Sequence, residues 1–356
     1  MKHIHSSISL PLYLALITLS GCVAPDALNS NPPSNVILMV GDGMGKAQVT
    51  ATEDYKGEKL FFQAWPMQAD VDTSSANAIV TDSAAAGTAM ATGQRVDNGV
   101  ISMAIPGDGS ELLTALEHFK AAGKRTGLVT SDSMTGATPA AFGAHEPSRN
   151  RMAAIADDYF TQTRPNVLFG GGGIGAATAL AAGYIVVTNL EQFIALDPTT
   201  ATNVAGLFGS GPLPFALDGP GAYPSLAEMT EAALSVLANG QSGFFLVVEA
   251  GTIDHACHIN DLPRMIMDVL EFERAVRIVA DWAVDHDNTL VLVTADHETG
   301  GLKVVNSNGT SAAPTVQWSH RNHTAAKVRL WALGADKADI TPDMANTNIH
   351  ALMMKQ

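Results

Sequence analysis

Cysteines and clusters of positive charge are scarce in this sequence. Only two of its 356 residues are cysteines, Cys22 and Cys257, which excludes a disulfide-rich scaffold and most zinc sites built from thiolates. Lys and Arg number 20 against 35 acidic residues, with no basic block, so we expect no nucleic-acid binding. Hydrophobic residues make up 46% of the chain, which is enough to bury the core of one large domain.

Long hydrophobic runs are also scarce, and the first lies near the N-terminus. Residues 8–19 form an apolar run shorter than the ~20 residues that span a bilayer, which is typical of a signal peptide. The run leads into the sequence LSGC, which resembles the processing site of bacterial lipoproteins and ends at Cys22. We therefore expect residues 1–21 to be a lipoprotein-type signal peptide and Cys22 to carry a lipid anchor. Residues 22–34 then form a tether, and residues 35–356 form a single domain.

An ordinary secretory signal with an incidental cysteine is the alternative interpretation of this N-terminus. Both interpretations predict an exported, periplasmic protein, and the first adds a lipid anchor in the membrane. A second uncharged stretch, residues 165–190, is long enough to cross a membrane but contains six glycines. A strand, a glycine turn, a helix and another strand explain this stretch better than a transmembrane helix does.

Four apolar, mostly β-branched runs predict strands of a parallel sheet that is buried on both faces. The runs are residues 36–40, 128–130, 244–248 and 289–294. Alanine- and leucine-rich segments between them predict helices, among them residues 110–122, 225–239 and 262–286. This alternation indicates the α/β class, a three-layer α/β/α sandwich around a mostly parallel sheet.

Acidic residues follow three of the four predicted strands: Asp42, Glu249 and Asp296. Ligands of open α/β sheets bind beyond the carboxyl ends of the strands. A single acid there is most simply a turn residue or a helix cap, but three acids from three strands would repel one another at that edge. Cations among the carboxylates would relieve the repulsion, so the pattern indicates a metal site.

Histidines near these acids support the same interpretation. Asp254 and His258 are four residues apart, which places both on one face of a helix and within reach of one ion. His297 follows Asp296, and His323 lies further along the chain. Mixed nitrogen and oxygen donors suit zinc, whereas an oxygen-only set suits magnesium. His320, three residues before His323, is an alternative ligand.

Ser83 opens an alanine-rich segment in the sequence TDSAAAGTA (81–89). A serine at a helix N-terminus lies where the helix dipole favours developing negative charge, so it is a candidate nucleophile. The structural alternative is a simple N-cap serine. Because no Gly-x-Ser-x-Gly elbow surrounds it, a hydrolase triad is not indicated, and metal activation would replace the missing base.

Together these residues resemble the alkaline phosphatase family from about residue 35 to about residue 334. The matching motifs are VGDGMG (40–45), TDSAAAG (81–87), ATPAA (137–141), SR (148–149), PSLAEM (224–229), VEAGTIDH (248–255), TADHETG (294–300) and HT (323–324). The resemblance implies an alkaline phosphatase-like fold, two zinc ions and one magnesium ion. It also implies hydrolysis of phosphate monoesters through a phosphoserine at Ser83. The family is commonly dimeric, so a homodimer and a monomer are both open.

The resemblance assigns ligands residue by residue. The implied ligands are Asp254, His258 and His323 for the first zinc, Asp42, Asp296, His297 and Ser83 for the second, and Asp42, Thr138 and Glu249 for magnesium. Arg149 would hold two phosphate oxygens as a bidentate fork, which favours monoesters. A phosphodiesterase or phosphonate hydrolase of the same superfamily is the alternative.

Two positions and one segment depart from the family's pattern or vary within it. Gly136 stands where the family usually carries Asp or His, which removes an outer partner of the third metal and leaves the identity of that metal open. His255 occupies a position held by Lys, Trp or His and is expected to reach phosphate through water. Only 21 residues separate Gly301 from His323, so we expect a small crown region.

Two other classes of protein compete with this interpretation. The sequence GGGGIG (170–175) contains Gly-x-Gly-x-x-Gly after an apolar run, as in a dinucleotide-binding oxidoreductase. Four consecutive glycines make such a match frequent by chance, and the match leaves the acids and histidines unexplained. The other class is a non-catalytic, metal-binding surface lipoprotein.

Overall fold

The computed structural model describes residues 35–334 and 339–355. All of them belong to one compact unit, residues 32–356. The signal peptide, the lipidation site Cys22 and the whole tether predicted above lie outside the described residues. Within the described ranges, no helix is both long and apolar enough to cross a membrane.

A ten-stranded sheet forms the centre of the molecule, in the order β14-β2-β13-β8-β1-β7-β3-β4-β6-β5. Its strands, with those of two small two-stranded sheets, are β1 (Asn35–Gly41), β2 (Met67–Asp72), β3 (Arg125–Ser133), β4 (Val167–Gly171), β5 (Ile185–Val187), β6 (Val204–Leu207), β7 (Phe244–Ala250), β8 (Thr289–Thr294), β9 (Glu298–Thr299), β10 (Lys303–Asn306), β11 (Thr315–Gln317), β12 (His323–Thr324), β13 (Val328–Leu333) and β14 (Asp343–Ala345). Only β13 runs antiparallel to its neighbours in the ten-stranded sheet. The two-stranded sheets are the hairpin β10-β11 and the antiparallel pair β12-β9.

Helices cover the sheet in two packed groups. They are α1 (Lys46–Lys56), α2 (Ser83–Thr92), α3 (Ala115–Ala121), α4 (Ala137–Gly143), α5 (Met152–Thr161), α6 (Ala176–Ala181), α7 (Leu190–Ile194), α8 (Leu226–Leu237), α9 (Thr252–His258), α10 (Leu262–Val284) and α11 (Asn346–Met353). One group joins α2 to α3, α4 and α11, and the other joins α10 to α1, α8 and α9. The large, mostly parallel sheet flanked by helices confirms the predicted α/β class.

The four predicted strands are adjacent at the centre of the sheet, in the order β8-β1-β7-β3, and all run parallel. Every residue of β1, β7 and β8 is buried, which is why their sequences are continuous apolar runs rather than alternating ones. The strands β3 and β7 extend further than predicted, to Ser133 and Ala250. Glu249 therefore lies inside β7, near its end.

Helix starts follow local capping chemistry. The segment predicted as residues 110–122 forms a helix only from Ala115, because Thr114 and Glu117 make a capping box there. Ser225 and Glu228 do the same for α8. Residues 165–190 contain β4, α6 and β5, which is the predicted sequence of strand, glycine turn, helix and strand.

Candidate active site

The carboxyl ends of the central strands bring the predicted acids to one edge of the sheet. Val40, the residue before the Gly41-Asp42 turn, lies opposite Glu249 of β7 and Thr294 of β8. Asp42, Glu249 and Asp296 are all buried. Carboxylates held this deep need compensation by hydrogen bonds or by cations.

One histidine cluster forms where α9 meets β12. The Asp254 Oδ2 and His258 Nε2 atoms are 3.0 Å apart, as the four-residue spacing on α9 predicts. β12 pairs with β9 and brings His323 Nε2 to 3.2 Å from His258 Nε2. Ligand atoms of Asp254, His258 and His323 lie within 4.8 Å of one another.

The ring nitrogens of this cluster are oriented for a cation. The Nδ1 atom of His258 faces the carbonyl of Arg321, and that of His323 faces the carbonyl of Thr81 at 3.0 Å. Because a carbonyl oxygen only accepts hydrogen bonds, each neutral ring carries its hydrogen on Nδ1 and turns the lone pair of Nε2 toward the other. Two lone pairs facing each other at this distance fit a shared positive charge, and backbone support on Nδ1 is typical of metal-binding histidines.

A second cluster surrounds His297. Its Nε2 atom lies 3.6 Å from Asp42 Oδ1 and 3.1 Å from Asp296 Oδ2. Both carboxylate oxygens are buried and have no hydrogen-bond partner within the described part of the chain. The Thr299 hydroxyl donates to Asp254 Oδ1 at 2.5 Å, so it accepts from His297 Nδ1, 3.3 Å away. The lone pair of His297 Nε2 therefore faces the two orphaned oxygens, and these donors fit a second cation.

Charge crowding shifts the pKa values of these groups. Burial, followed by the charges of Asp296 and Asp254, raises the pKa of Asp42 well above its usual range. Burial and then the charge of Asp254 raise the pKa of Asp296 to about 6. Burial lowers the pKa of His297 to about 4, so its ring is neutral near pH 7. Burial opposes ionisation of Asp254 too, but interaction with His258 and the other nearby imidazoles lowers its pKa.

Ser83 is the first residue of α2, and its Oγ lies 3.2 Å from His297 Nε2. The cap of this helix is Asp82, whose Oδ1 accepts from the Ala85 amide at 3.0 Å. The alternative of Ser83 as an N-cap is therefore wrong. Its hydroxyl is left free to face the second cluster from the positive end of a ten-residue helix.

Arg149 is paired with Asp82, the residue before Ser83. The Nη1 atom of Arg149 is 3.2 Å from Asp82 Oδ2, and the Arg149 amide donates to the Gly99 carbonyl at 2.7 Å. The side chain is 36% exposed, so its remaining donors are accessible to a ligand. Asp82 was not predicted from the sequence, although its position next to Ser83 in the motif TDSAAAG was a usable signal.

The predicted magnesium ligands form a third, acidic corner. Thr138 of α4 is fully buried, and the Thr130 hydroxyl donates to Glu249 Oε2. Burial first, and then the charge of Asp132, raises the pKa of Glu249 to about 7. Asp132, which the sequence analysis also missed, stands near the end of β3, with its Oδ2 3.5 Å from His255 Nε2.

The structure also shows the surroundings of two other features selected from the sequence, the alternative ligand His320 and the glycine run. His320 is exposed and its Nδ1 accepts from the Asn322 amide at 3.2 Å, and it belongs to neither metal-compatible cluster among the described residues. The space beside the glycine run at the end of β4 is occupied by another part of the chain. A Cβ at Gly171 would lie 2.1 Å from the Gly211 carbonyl, and one at Gly172 would lie 2.3 Å from Ser210.

Known proteins resemble this chain in both sequence and structure. A sequence profile described as alkaline phosphatase matches residues 33–175 and 176–316. Alkaline phosphatase 3 of Bacillus subtilis is 37% identical over 78% of this chain, which spans 63% of that relative's length. The Thermus thermophilus alkaline phosphatase superposes with a TM-score of 0.83 at 25% identity, over 96% of this chain and 95% of that one.

A variant of the TAB5 alkaline phosphatase that has Mg bound in its M3 site superposes with a TM-score of 0.81 at 25% identity. That match covers 91% of this chain and 97% of the TAB5 chain. The fold, the two clusters and these similarities together identify the class of protein. The chain belongs to the alkaline phosphatase family.

Proposed function

We propose that this protein is an alkaline phosphatase, a phosphomonoesterase that releases an alcohol and inorganic phosphate through a phosphoserine at Ser83. One observation carries the proposal. The Ser83 hydroxyl lies 3.2 Å from His297 Nε2, beside buried carboxylate oxygens of Asp42 and Asp296 that lack hydrogen-bond partners. A nucleophile at the edge of an orphaned donor set suits metal-assisted phosphoryl transfer.

The donors fit the metals that the family resemblance implies. Nitrogen-rich sets suit zinc and oxygen-only sets suit magnesium. The residues that would hold zinc are Asp254, His258 and His323 for one ion, and Asp42, Asp296, His297 and Ser83 for the other. Asp42, Thr138 and Glu249 would hold magnesium, the ion bound in the M3 site of the TAB5 variant. Bound zinc lowers the pKa of hydroxyl groups and neutralises charge that develops on the phosphoryl oxygens.

The chain's own residues make the bonds and position the substrate. Ser83 Oγ forms a bond to phosphorus as the ester oxygen leaves with the alcohol. Water then cleaves the bond between phosphorus and Ser83 Oγ, which regenerates the serine and releases inorganic phosphate. The helix dipole of α2 favours negative charge at Ser83, and Arg149, oriented by Asp82, binds two phosphoryl oxygens as a planar fork.

Arg149 favours monoesters over diesters. A monoester presents three free phosphoryl oxygens, whereas a diester presents two and carries a second alcohol group beside them. The fork of an arginine therefore binds two free oxygens of a monoester with no second alcohol group in the way. We expect a bis-aryl diester to be cleaved much more slowly than the aryl monoester, and comparable rates would favour the phosphodiesterase alternative.

Hydrolysis of an aryl phosphate monoester at alkaline pH tests the proposal. We expect turnover that prolonged chelation abolishes and that added zinc and magnesium restore. Replacing Ser83→Ala should lower kcat by at least ~10³-fold, because the attacking atom is lost. Ser235→Ala, at an exposed serine of α8, is the matched control and should retain full activity. A Ser83→Ala variant with unchanged turnover would refute the phosphoserine mechanism, and chelation without effect would refute the metal assignment.

A further inference from the structure

The acidic corner contains a carboxylate that the family pattern does not supply. α4 begins after Gly136, which has no side chain to offer the site. An ideal Cβ placed on Gly136 would lie 3.2 Å from Asp132 Oδ2 and 2.8 Å from the Ser133 carbonyl. The carboxylate of Asp132 therefore already stands next to the space into which a side chain at position 136 would extend.

Local hydrogen bonds fix the orientation of Asp132. Its Oδ1 accepts from the Ser133 amide at 2.6 Å, and its own amide donates to Thr130 Oγ1 at 2.8 Å. The same Thr130 hydroxyl donates to Glu249, so one threonine links the backbone of Asp132 to the carboxylate of Glu249. With Oδ1 engaged, Oδ2 is the oxygen that faces His255.

Glycine at position 251 leaves no side chain between the two acids. An ideal Cβ on Gly251 would lie 2.7 Å from Asp132 Cβ and 3.5 Å from the carboxyl carbon of Glu249. Glu249 is buried, whereas the side chains of Asp132 and His255 are 20% and 37% exposed. Both acids therefore flank Gly251, and Asp132 is the one that an ion can approach from solvent.

We propose that Asp132 supplies the outer carboxylate of the third metal site in place of position 136. The proposed magnesium ligands Thr138 and Glu249 are buried, and the Asp132–His255 pair lies on the solvent-exposed side of the site. This inference rests on the proposed function for the existence of the site. In this chain the outer carboxylate would therefore come from the end of β3, four residues before the position at the start of α4.

Magnesium binding to the zinc-loaded protein tests the inference without reference to activity. Asp132→Asn keeps the shape of the side chain and its acceptor for the Ser133 amide but removes the charge. Calorimetric titration with Mg²⁺ should show a Kd at least ~10-fold weaker than in the wild-type protein, as for other outer partners of metal ligands. Zinc content, measured by mass spectrometry, should be unchanged. Asp157→Asn, at an exposed acid of α5, is the matched control and should bind Mg²⁺ normally.

A second pair of variants moves the carboxylate back to the family position. Asp132→Ala should weaken Mg²⁺ binding, and Asp132→Ala/Gly136→Asp should restore most of it. Gly136 has φ of −59°, which any residue adopts, although the Ser133 carbonyl must shift slightly. Equal Mg²⁺ affinity in the wild-type, Asp132→Asn and Asp132→Ala proteins would overturn the inference, as would a double variant that binds no better than Asp132→Ala.

The outcome is separable from that of the proposed function. Monoester turnover together with Mg²⁺ binding that ignores Asp132 contradicts this inference alone. Mg²⁺ binding that depends on Asp132, in a protein that does not hydrolyse monoesters, supports the inference and contradicts the proposed activity.

Discussion

Two glycine-containing strand ends lie in the same mostly parallel sheet, and they differ in what lies beside their glycines. After β1, the turn Gly41-Asp42-Gly43 presents a buried carboxylate whose Oδ1 has no hydrogen-bond partner among the described residues. At the end of β4, the backbone of the loop around Ser210 fills the space beside the glycines, and the Gly172 amide donates to the Gly211 carbonyl at 2.9 Å. The first, open end presents an unpaired carboxylate oxygen, whereas backbone packs against the second, closed end.

This difference separates two kinds of glycine motif. A glycine-rich turn binds phosphate when its amides and the adjacent space are open. Around Gly171 and Gly172 that space is filled by backbone, so these glycines allow close packing of the chain. No open space for a dinucleotide phosphate remains beside them, which argues against the dinucleotide-binding interpretation. At Gly43, a Cβ would lie 2.8 Å from Asp254 Oδ1, so glycine there lets a functional side chain approach. Buried carboxylate oxygens without a partner, rather than glycines, therefore distinguish the open end.

Among the variants that test this comparison, removal of His323 from the metal-compatible cluster should have the largest effect. His323→Ala removes one of the three ligand atoms gathered with Asp254 and His258. We expect loss of one zinc ion per chain, measured by metal analysis. Monoester hydrolysis should fall at least ~100-fold, as when one group that stabilises transition-state charge is removed.

His320→Ala is the matched control for this prediction, because the sequence alone left both histidines as candidates. His320 is exposed and bonded to the Asn322 amide. Its replacement should leave both zinc content and turnover near the wild-type values. Zinc loss in His320→Ala with retention in His323→Ala would reverse the assignment of the ligand.

A smaller effect should follow from releasing Arg149. Asp82→Asn keeps a good N-cap for α2 but removes the charge that holds the arginine. The pair is partly exposed, so we expect kcat/KM to fall about 2- to 5-fold, mainly through KM, since partly exposed ion pairs contribute roughly 0.2–1 kcal/mol. Asp218→Asn is the matched control, since it breaks a remote ion pair of similar exposure with Arg264 and should leave kcat/KM unchanged. A kcat/KM for Asp82→Asn equal to that of Asp218→Asn would show that Asp82 does not position the arginine.

The sequence sufficed for the parts of the molecule that depend on neighbouring residues. Continuous apolar runs predicted the four central strands because both faces of those strands are buried. The four-residue spacing of Asp254 and His258 predicted their contact because a helix brings such residues together. Acids directly after strands meet at one edge because parallel strands share their direction.

Contacts between distant segments could not be derived in this way. Asp132 follows the predicted run 128–130 by two residues, and only the extension of β3 to Ser133 brings it toward His255. Asp82 was adjacent to a selected residue, yet its role depends on Arg149, 67 residues away. The packing of Gly172 against Ser210 likewise depends on a loop whose position no local pattern encodes.

The smallest effect on activity should come from the closed strand end. A substitution there should instead lower the stability of the protein. Gly172→Ala places a Cβ 2.3 Å from backbone of Ser210, and backbone cannot swing aside as a flexible side chain does. We expect the free energy of unfolding in urea to fall by ~1–3 kcal/mol, the usual cost of overpacking. Turnover per folded molecule should stay within about twofold, since no proposed ligand is lost. Gly211→Ala is the control, because its Cβ would meet nothing within 4 Å. Equal stability of the two variants would mean that the glycine run is open after all, and the contrast between the two strand ends would fail.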